Sequence, residues 1–490
     1  MSKAYIIGTG PGDEELLTLK AIKVLGECTA VLYDRLVSNN VLNYLSEDCE
    51  VYYCGKEPGA HYKTQDEINE MIVKLANEGH VVGRVKGGDP YVFGRGGEEV
   101  LALEKEGIDF EVIPGVTSPI AVLNYAGIPI THRGIAQSFH IVTGMTAVEE
   151  KINFEALANE NGTLVFMMGL SNLEKIVENL TRYGKNINTP AAVVMRGTSS
   201  KQKKVVGTLD NIVDKVKEAG LQSPCIIVVG EVVNLSNKLS WYEKKPLFGW
   251  NICVTRSREQ ASSLKDKLTK LGAEVTSISS IKIEKTLENL DEYVEKLDKY
   301  HHIIFTSVNG VNIFFDYLIE KNYDIRRLKA KFSVVGKATK KALSQRGIQA
   351  YKMAREFVGE GLFEAIKEDL KPGEKVLIPC SSKSRTFLKD EIEALALEVD
   401  RVHTYNTVPG KVQNKRSFDE VDIVLFTSPS TVNNMVDMVG IEEVKKKKCI
   451  AIGPITFKAL KERGIDGLMC KQHSEDGFLR EIVEIVNKEV

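Results

Sequence analysis

The sequence predicts an α/β protein in two halves, the second a duplicated pair of similar parallel-sheet lobes. Three observations carry this. The N-terminus runs strand, glycine loop, helix (AYIIGTGPGDEELLTLKAIKVLGE), the opening of a nucleotide-type α/β fold. The same succession returns where HVVGRVK leads through GGDPYVFGRGG into EEVLALEKEG. In the second half, whole strand–helix segments recur about 120 residues later, the period of a duplicated domain rather than a solenoid.

Size and composition bound the function. A chain of 490 residues suggests two to four domains. At 43% hydrophobic and 27% charged it is an ordinary globular composition. The 65 basic and 67 acidic residues leave a net charge of -2, with no bulk attraction to nucleic acid. Eight cysteines without a Cys-x-x-Cys pair fit reduced thiols and argue against a zinc site or disulfide frame, so no metal is expected. Met1-Ser2-Lys3 leads straight into a strand without a signal peptide. No apolar run approaches the roughly 18 residues of a membrane span. A cytoplasmic, soluble protein is expected, binding neither nucleic acid nor membrane.

Taken in order, the strand at Tyr5–Ile7 ends in a loop with Gly8, Gly10, Pro11, Gly12 and Asp13. A helix carrying Leu16, Leu17, Leu19, Ile22 and Leu25 follows. The third glycine of a dinucleotide fingerprint falls on Asp13, and no Gly-Lys-Ser/Thr occurs. Because Asp13 repels phosphate, an adenosine ligand without phosphates, or a cationic one, suits the loop better. AVLYDRLVS places Asp34 just beyond an apolar strand, at the carboxyl end where open α/β sheets keep their sites. The position equally suits a helix cap or a partner for Arg35. Lys56 follows another strand, and a helix begins near Gln65. Next come Gly87, Gly88, Gly94, Gly96 and Gly97 around Asp89-Pro90. Five glycines in eleven residues add nothing to a core; they leave bare backbone for close approach to a ligand, or make a flexible surface loop. Pro114-Gly115 turns the chain, and Thr117-Ser118 open a helix whose first amides are available to a ligand.

GTGPGDEELLTLKA, LYDRLVS, GDPYVFGRGGEE, PGVTS and YAGIPITHR together resemble the tetrapyrrole methylase family, and within it the uroporphyrinogen-III C-methyltransferases. TLVFMMGL, TPAAVVMRGT, GTLDNIV and IIVVGEVV extend the resemblance in order to about Tyr242. It implies the two-lobed tetrapyrrole methylase fold and S-adenosylmethionine as methyl donor. Position by position, it implies that Pro11, Gly87, Gly88, Asp89, Val92, Thr117, Ser118, Met168 and Gly197 line the donor site. Asp34 would be base or acceptor for a pyrrole N–H. Lys56 would donate a proton or bind a substrate carboxylate. The sequence departs at Glu57, where the family usually has arginine, and at Pro119, where a small residue is usual.

Glu243 to Pro246 are polar and break the pattern, and NICVTRS starts a new strand. Expected bounds are 1–242 for the methyltransferase domain, 243–248 for a linker and 249–490 for the second half. There, IIFTSVNGVNIFF parallels IVLFTSPSTVNNMV, VVGKATKKALSQRGI parallels AIGPITFKALKERGI, and LKDKLTKLGAEV parallels LKDEIEALALEV. Thr306-Ser307, Thr427-Ser428, Gly336–Thr339 and Gly453–Thr456 put hydroxyls and amides at helix starts. They are suited to carboxylates, or serve only as N-caps. Arg256, Arg258, Lys337, Lys383 and Arg385 add cations in similar loops, whereas Lys445 to Lys448 reads as a solvated run.

VTRS, IFTSVNGV, VGKAT, FTSPSTV and IGPIT resemble the uroporphyrinogen-III synthase family. The resemblance implies cyclisation of hydroxymethylbilane, with Tyr405 of HTYNTV assisting departure of the hydroxyl. Arg256, Ser307, Thr339, Ser428 and Thr456 would contact substrate, and Ile455 replaces a family threonine. The joint expectation is a bifunctional enzyme making uroporphyrinogen III and methylating it twice to precorrin-2, for sirohaem or cobalamin. A homodimer through the methylase half is also implied. A methylase acting on a later corrin precursor, or a non-catalytic tetrapyrrole or S-adenosylmethionine sensor, are the alternatives.

Overall fold

The computed structural model describes residues 3–55, 63–146, 152–255, 258–355, 358–410 and 416–489. It divides into two compact units, Met1–Ser279 with Val412–Val490, and Ser280–Lys411.

The first unit begins with strands β1 (Lys3–Gly8), β2 (Ala30–Tyr33), β3 (Glu50–Tyr53), β4 (Val81–Lys86) and β5 (Asp109–Ile113). They form an all-parallel sheet in the order β3-β2-β4-β1-β5. Ala4, Ile6 and Ile7 of β1 are fully buried, as expected of a strand covered on both faces. Register pairs Gly8 with Lys86, so the two glycine loops leave the sheet side by side.

The predicted first helix is two elements. A 3₁₀ turn at Glu14–Leu16 is capped by Asp13, whose carboxylate accepts from Glu15 N at 2.9 Å. The α-helix starts only at Leu19, where Thr18 accepts from Ala21 N at 3.1 Å. Asp13 and Thr18, five residues apart, each start an element, and the extended Leu17 between them ends the first. The helix from Gln65 has a capping box, Thr64 with Glu67.

A mixed sheet follows: β6 (Phe139–Thr143), β7 (Thr163–Met167), β8 (Pro190–Met195), β9 (Lys203–Thr208) and β10 (Cys225–Val229). Its order is β6-β7-β10-β8-β9, with only β6 and β7 parallel. The segment after Tyr242 is pinned at both ends. Trp241 Nε1 donates to Asn124 O at 3.0 Å, and Leu247 is fully buried in the core of the next sheet.

That next sheet is parallel, in the order 274–277, 251–254, 423–426, 448–451, 467–469. The second unit has the matching order 398–409, 375–381, 302–305, 331–334, 352–353, with an extra antiparallel strand, Ile281–Lys285, on 398–409. The repeats therefore do not fold as successive blocks. Strands 251–254 and 274–277 draw their remaining partners from the second copy, and the central repeats pair with one another. Each repeat is a parallel βα unit, so its own pattern suits a strand from either copy equally well; long-range pairing decides.

Candidate functional site

Three loops at the carboxyl end of the first sheet are stitched together through glycine. Gly10 N donates to Gly88 O at 3.2 Å and Gly88 N to Gly10 O at 2.7 Å, while Thr9 N reaches Lys86 O at 2.9 Å. Asp89 holds the third loop: its carboxylate accepts from Tyr91 N at 2.8 Å and Gly115 N at 3.1 Å. A Cβ on Gly115 would lie 2.2 Å from Gly88 O, and one on Gly8 would lie 2.6 Å from Gly115 N. The close approach read from the sequence is thus, in the first instance, loop against loop. Gly87 packs on Leu36, and Gly94 and Gly96 on Pro90. Gly88 needs its φ of +71°. Gly96 and Gly97 belong to the first turn of the helix Gly96–Lys105 rather than to the loop.

Gly115→Ala is expected to destabilise the fold by roughly 1–3 kcal/mol, the cost of overpacking one loop against another. Gly97→Ala meets nothing within 4 Å and should raise stability by up to about 1 kcal/mol. Thermal melts and chemical denaturation check both.

Asp34 follows β2 and is partly exposed. Its Oδ2 accepts from Arg84 Nη2 at 3.1 Å and its Oδ1 from Leu36 N at 3.2 Å. It is therefore both a turn cap and an ion-pair partner, but of Arg84 rather than Arg35. Behind it lies a buried charge network that sequence reading missed. Arg84 Nε and Lys86 Nζ both donate to Glu99 Oε1, at 2.9 and 2.8 Å, and Gln65 Nε2 reaches the same oxygen at 3.2 Å. Glu99 is wholly buried, and its Oε2 has no hydrogen-bond partner. Burial and the adjacent Arg84 push the Lys86 ammonium below its ordinary pKa despite Glu99. The signal was present in VVGRVK: two cations two residues apart share one face of a buried strand.

Asp34, Pro11 and Gly197 line one cleft of about 990 Å³, the upper end for small-molecule sites. Gly12 and Asp13 close one part of it: Asp13 N donates to Thr198 Oγ1 at 3.3 Å, and Tyr125 OH to Asp13 Oδ2 at 2.8 Å. Burial, with Asp13 beside it, raises the Tyr125 phenol well above its usual range. Gly197 sits against Val122, where a Cβ would lie 2.4 Å from Cγ1. Arg196 and Thr198 on either side hold left-handed backbone, φ +46° and +70°, the kind of strain that clusters at functional sites.

Residues after Tyr242 form another wall of this cleft, among them Lys265, Glu274, Thr276 and Glu420. Ser200 N and Oγ donate to Glu274 Oε2 at 2.9 and 2.7 Å, and Asn40 Nδ2 to Val275 O at 2.7 Å. Ion pairs join Arg196 to Glu420 (2.6 Å), Lys201 to Asp422 (3.3 Å) and Lys265 to Glu14.

The other predicted donor-site residues do not line this cleft. Gly87, Gly88 and Asp89 join Pro11's loop through the pairing above. Val92 N donates to Asp89 O at 3.3 Å. Thr117 is the N-cap of the helix Ser118–Tyr125, and Pro119 sits in its first turn, where proline's fixed φ fits. Met168 stands after β7 of the mixed sheet, 43% exposed at φ +53°. Lys56, with Glu57, lies outside the described residues, as does Arg256.

In the second unit, Tyr405 OH and Ser307 Oγ lie 2.9 Å apart, two predicted residues from distant segments in one lobe. Burial raises the Tyr405 phenol above its usual value, although Ser307 works against it. Ser307 Oγ also caps its helix, accepting from Gly310 N at 3.0 Å. Thr339 is buried in the first turn of the helix Lys337–Gln345. Arg385 is committed to Glu360 at 2.7 Å. In the lobe of the first unit, Ser428 forms a capping box with Thr431, Thr456 is buried in the helix Pro454–Glu462, and Ile455 is 71% exposed.

A parallel sheet whose carboxyl-end loops meet at a polar cleft, followed by a mixed sheet and further α/β lobes, defines the class: an α/β protein with a cleft of small-molecule size. Residues 3–213 match the family Tetrapyrrole (Corrin/Porphyrin) Methylases, and residues 262–480 the family Uroporphyrinogen-III synthase HemD. The chain is 37% identical to the porphyrin biosynthesis protein HemD of Ruminiclostridium josui, over 98% of its own length and 97% of that protein. It is 47% identical to the uroporphyrinogen-III C-methyltransferase of Priestia megaterium, over 48% of this chain and all of the other. A crystal structure of the uroporphyrin-III C-methyltransferase of Thermus thermophilus complexed with S-adenyl homocysteine is 39% identical, covering 47% of this chain and 99% of that one with a TM-score of 0.41. The chain belongs to the family of fused tetrapyrrole methylases and HemD-type uroporphyrinogen-III synthases. It is a bifunctional protein of tetrapyrrole synthesis, a methyltransferase joined to a synthase.

Proposed function

We propose that residues 249–490 cyclise hydroxymethylbilane to uroporphyrinogen III with inversion of the last ring, and that residues 1–242 methylate this product twice to precorrin-2, for sirohaem or cobalamin. The observation that carries the reading is Asp34, a partly exposed carboxylate fixed by Arg84 at the wall of a cleft large enough for a macrocycle.

S-adenosylmethionine, when bound, supplies the methyl group as a sulfonium cation. The loops suit it: they offer no phosphate clamp, and Asp13 and Asp34 favour a cation. The chain's own contribution is positioning, since a donor and a pyrrole carbon held in line at near-contact distance gain much of the rate. As the new C–C bond forms and the C–S bond breaks, S-adenosylhomocysteine leaves and the methylated ring becomes acidic; Asp34 accepts the proton released. Lys56 would meet a substrate carboxylate or return a proton. In the synthase half, Tyr405 hydrogen-bonded to Ser307 would assist loss of the hydroxyl as water. A homodimer through the methylase half accompanies this reading.

The test is incubation of the purified full chain with hydroxymethylbilane and S-adenosylmethionine. A doubly methylated macrocycle is expected. If uroporphyrinogen III supplied directly also stays unmethylated, the methylase assignment is wrong.

A further inference from the structure

Glu420 belongs to the synthase half yet lines the cleft that holds Asp34. It takes both oxygens to Arg196 Nη2, at 2.7 and 2.6 Å. Arg196 lines the same cleft, on backbone kept in the left-handed region beside Gly197 and Thr198. The two side chains are 36% and 45% exposed, and solvent screens a pair so wet, leaving it a weak contribution. It is strong enough to occupy the guanidinium and weak enough to be exchanged. Guanidinium binds carboxylate by a planar fork, and the substrate proposed above carries carboxylates around its rim.

We propose that Glu420 is an internal competitor for a substrate carboxylate: it holds Arg196 and yields that cation when a polycarboxylate macrocycle binds. The synthase half thereby sets the affinity of the methylation cleft for its substrate. This rests on the reading of the cleft as the macrocycle site. Neighbouring contacts are arranged to survive the exchange. Ser200 with Glu274, and Asn40 with Val275, hold the wall by bonds independent of Arg196, and Lys201 keeps Asp422, which also accepts from Asn251 N at 2.8 Å.

The experiment titrates the full chain with uroporphyrin III, a stable polycarboxylate macrocycle, by fluorescence, alongside methylation assays on uroporphyrinogen III. Glu420→Gln is expected to tighten uroporphyrin binding and lower the methylation KM by roughly two- to fivefold, the range of a half-exposed charge pair. The kcat and the affinity for S-adenosylhomocysteine should not move. Arg196→Gln should weaken macrocycle binding, and adding Glu420→Gln to it should then have no effect. Tightening without turnover in the unaltered chain would uphold the competitor and remove the methylase reading. Turnover with unchanged KM in Glu420→Gln, or a full Glu420→Gln effect in the Arg196→Gln background, would overturn the competitor and leave the methylase reading standing.

Discussion

Asp34→Asn is expected to lower methylation of uroporphyrinogen III by at least about a hundredfold, the lower bound for loss of a positioned proton acceptor. The amide oxygen can still accept from Leu36 N, while the bond from Arg84 to the second oxygen is lost; the turn should stay in place and S-adenosylhomocysteine should bind as before. The loss should fall on kcat with little change in KM, the mark of an interaction made chiefly in the transition state. Cyclisation of hydroxymethylbilane, the reaction proposed for the other half, should continue at the unaltered rate. Methylation within threefold of the unaltered chain would remove Asp34 from the chemistry and leave it a turn cap.

Glu99→Gln should be the most destabilising single substitution near the site. It leaves the buried Arg84 and Lys86 facing a neutral amide; among the described residues the remaining ion pair is that of Arg84 with the partly exposed Asp34. Breaking a buried ionic cluster by removing one partner costs about 3–5 kcal/mol. Chemical denaturation of the full chain should show the methylase transition moved to lower denaturant. Adding Lys86→Met should recover part of the loss, because one stranded charge is then gone. A shift below about 1 kcal/mol would mean that water reaches the cluster, contrary to its burial.

The glycine loops show how far reading residues can go. Gly88 was read as bare backbone open to close approach, and backbone does approach it, but that backbone belongs to the neighbouring loops of Gly10 and Gly115. Sequence gives the permissiveness of glycine without saying what comes near. Asp34 was legible as a carboxylate beyond a strand; Arg84 as its partner was not, because it lies fifty residues on, in a neighbouring strand. Tyr405 and Ser307 were each singled out, and only the strand pairings of their lobe bring their hydroxyls together.

The local pattern alone determined that this is an α/β chain in two halves, where several of its strands and helices lie, and which loops follow them. Those features depend on side-chain periodicity, capping and glycine, all short-range. Tertiary structure alone decided that the synthase repeats exchange strands instead of folding in succession, that three cationic and acidic side chains bury one another behind Asp34, and that Glu420 closes on Arg196. Each is a choice of partner among residues far apart in the chain. Parallel βα units and opposite charges are interchangeable until packing brings one pair together and excludes the rest.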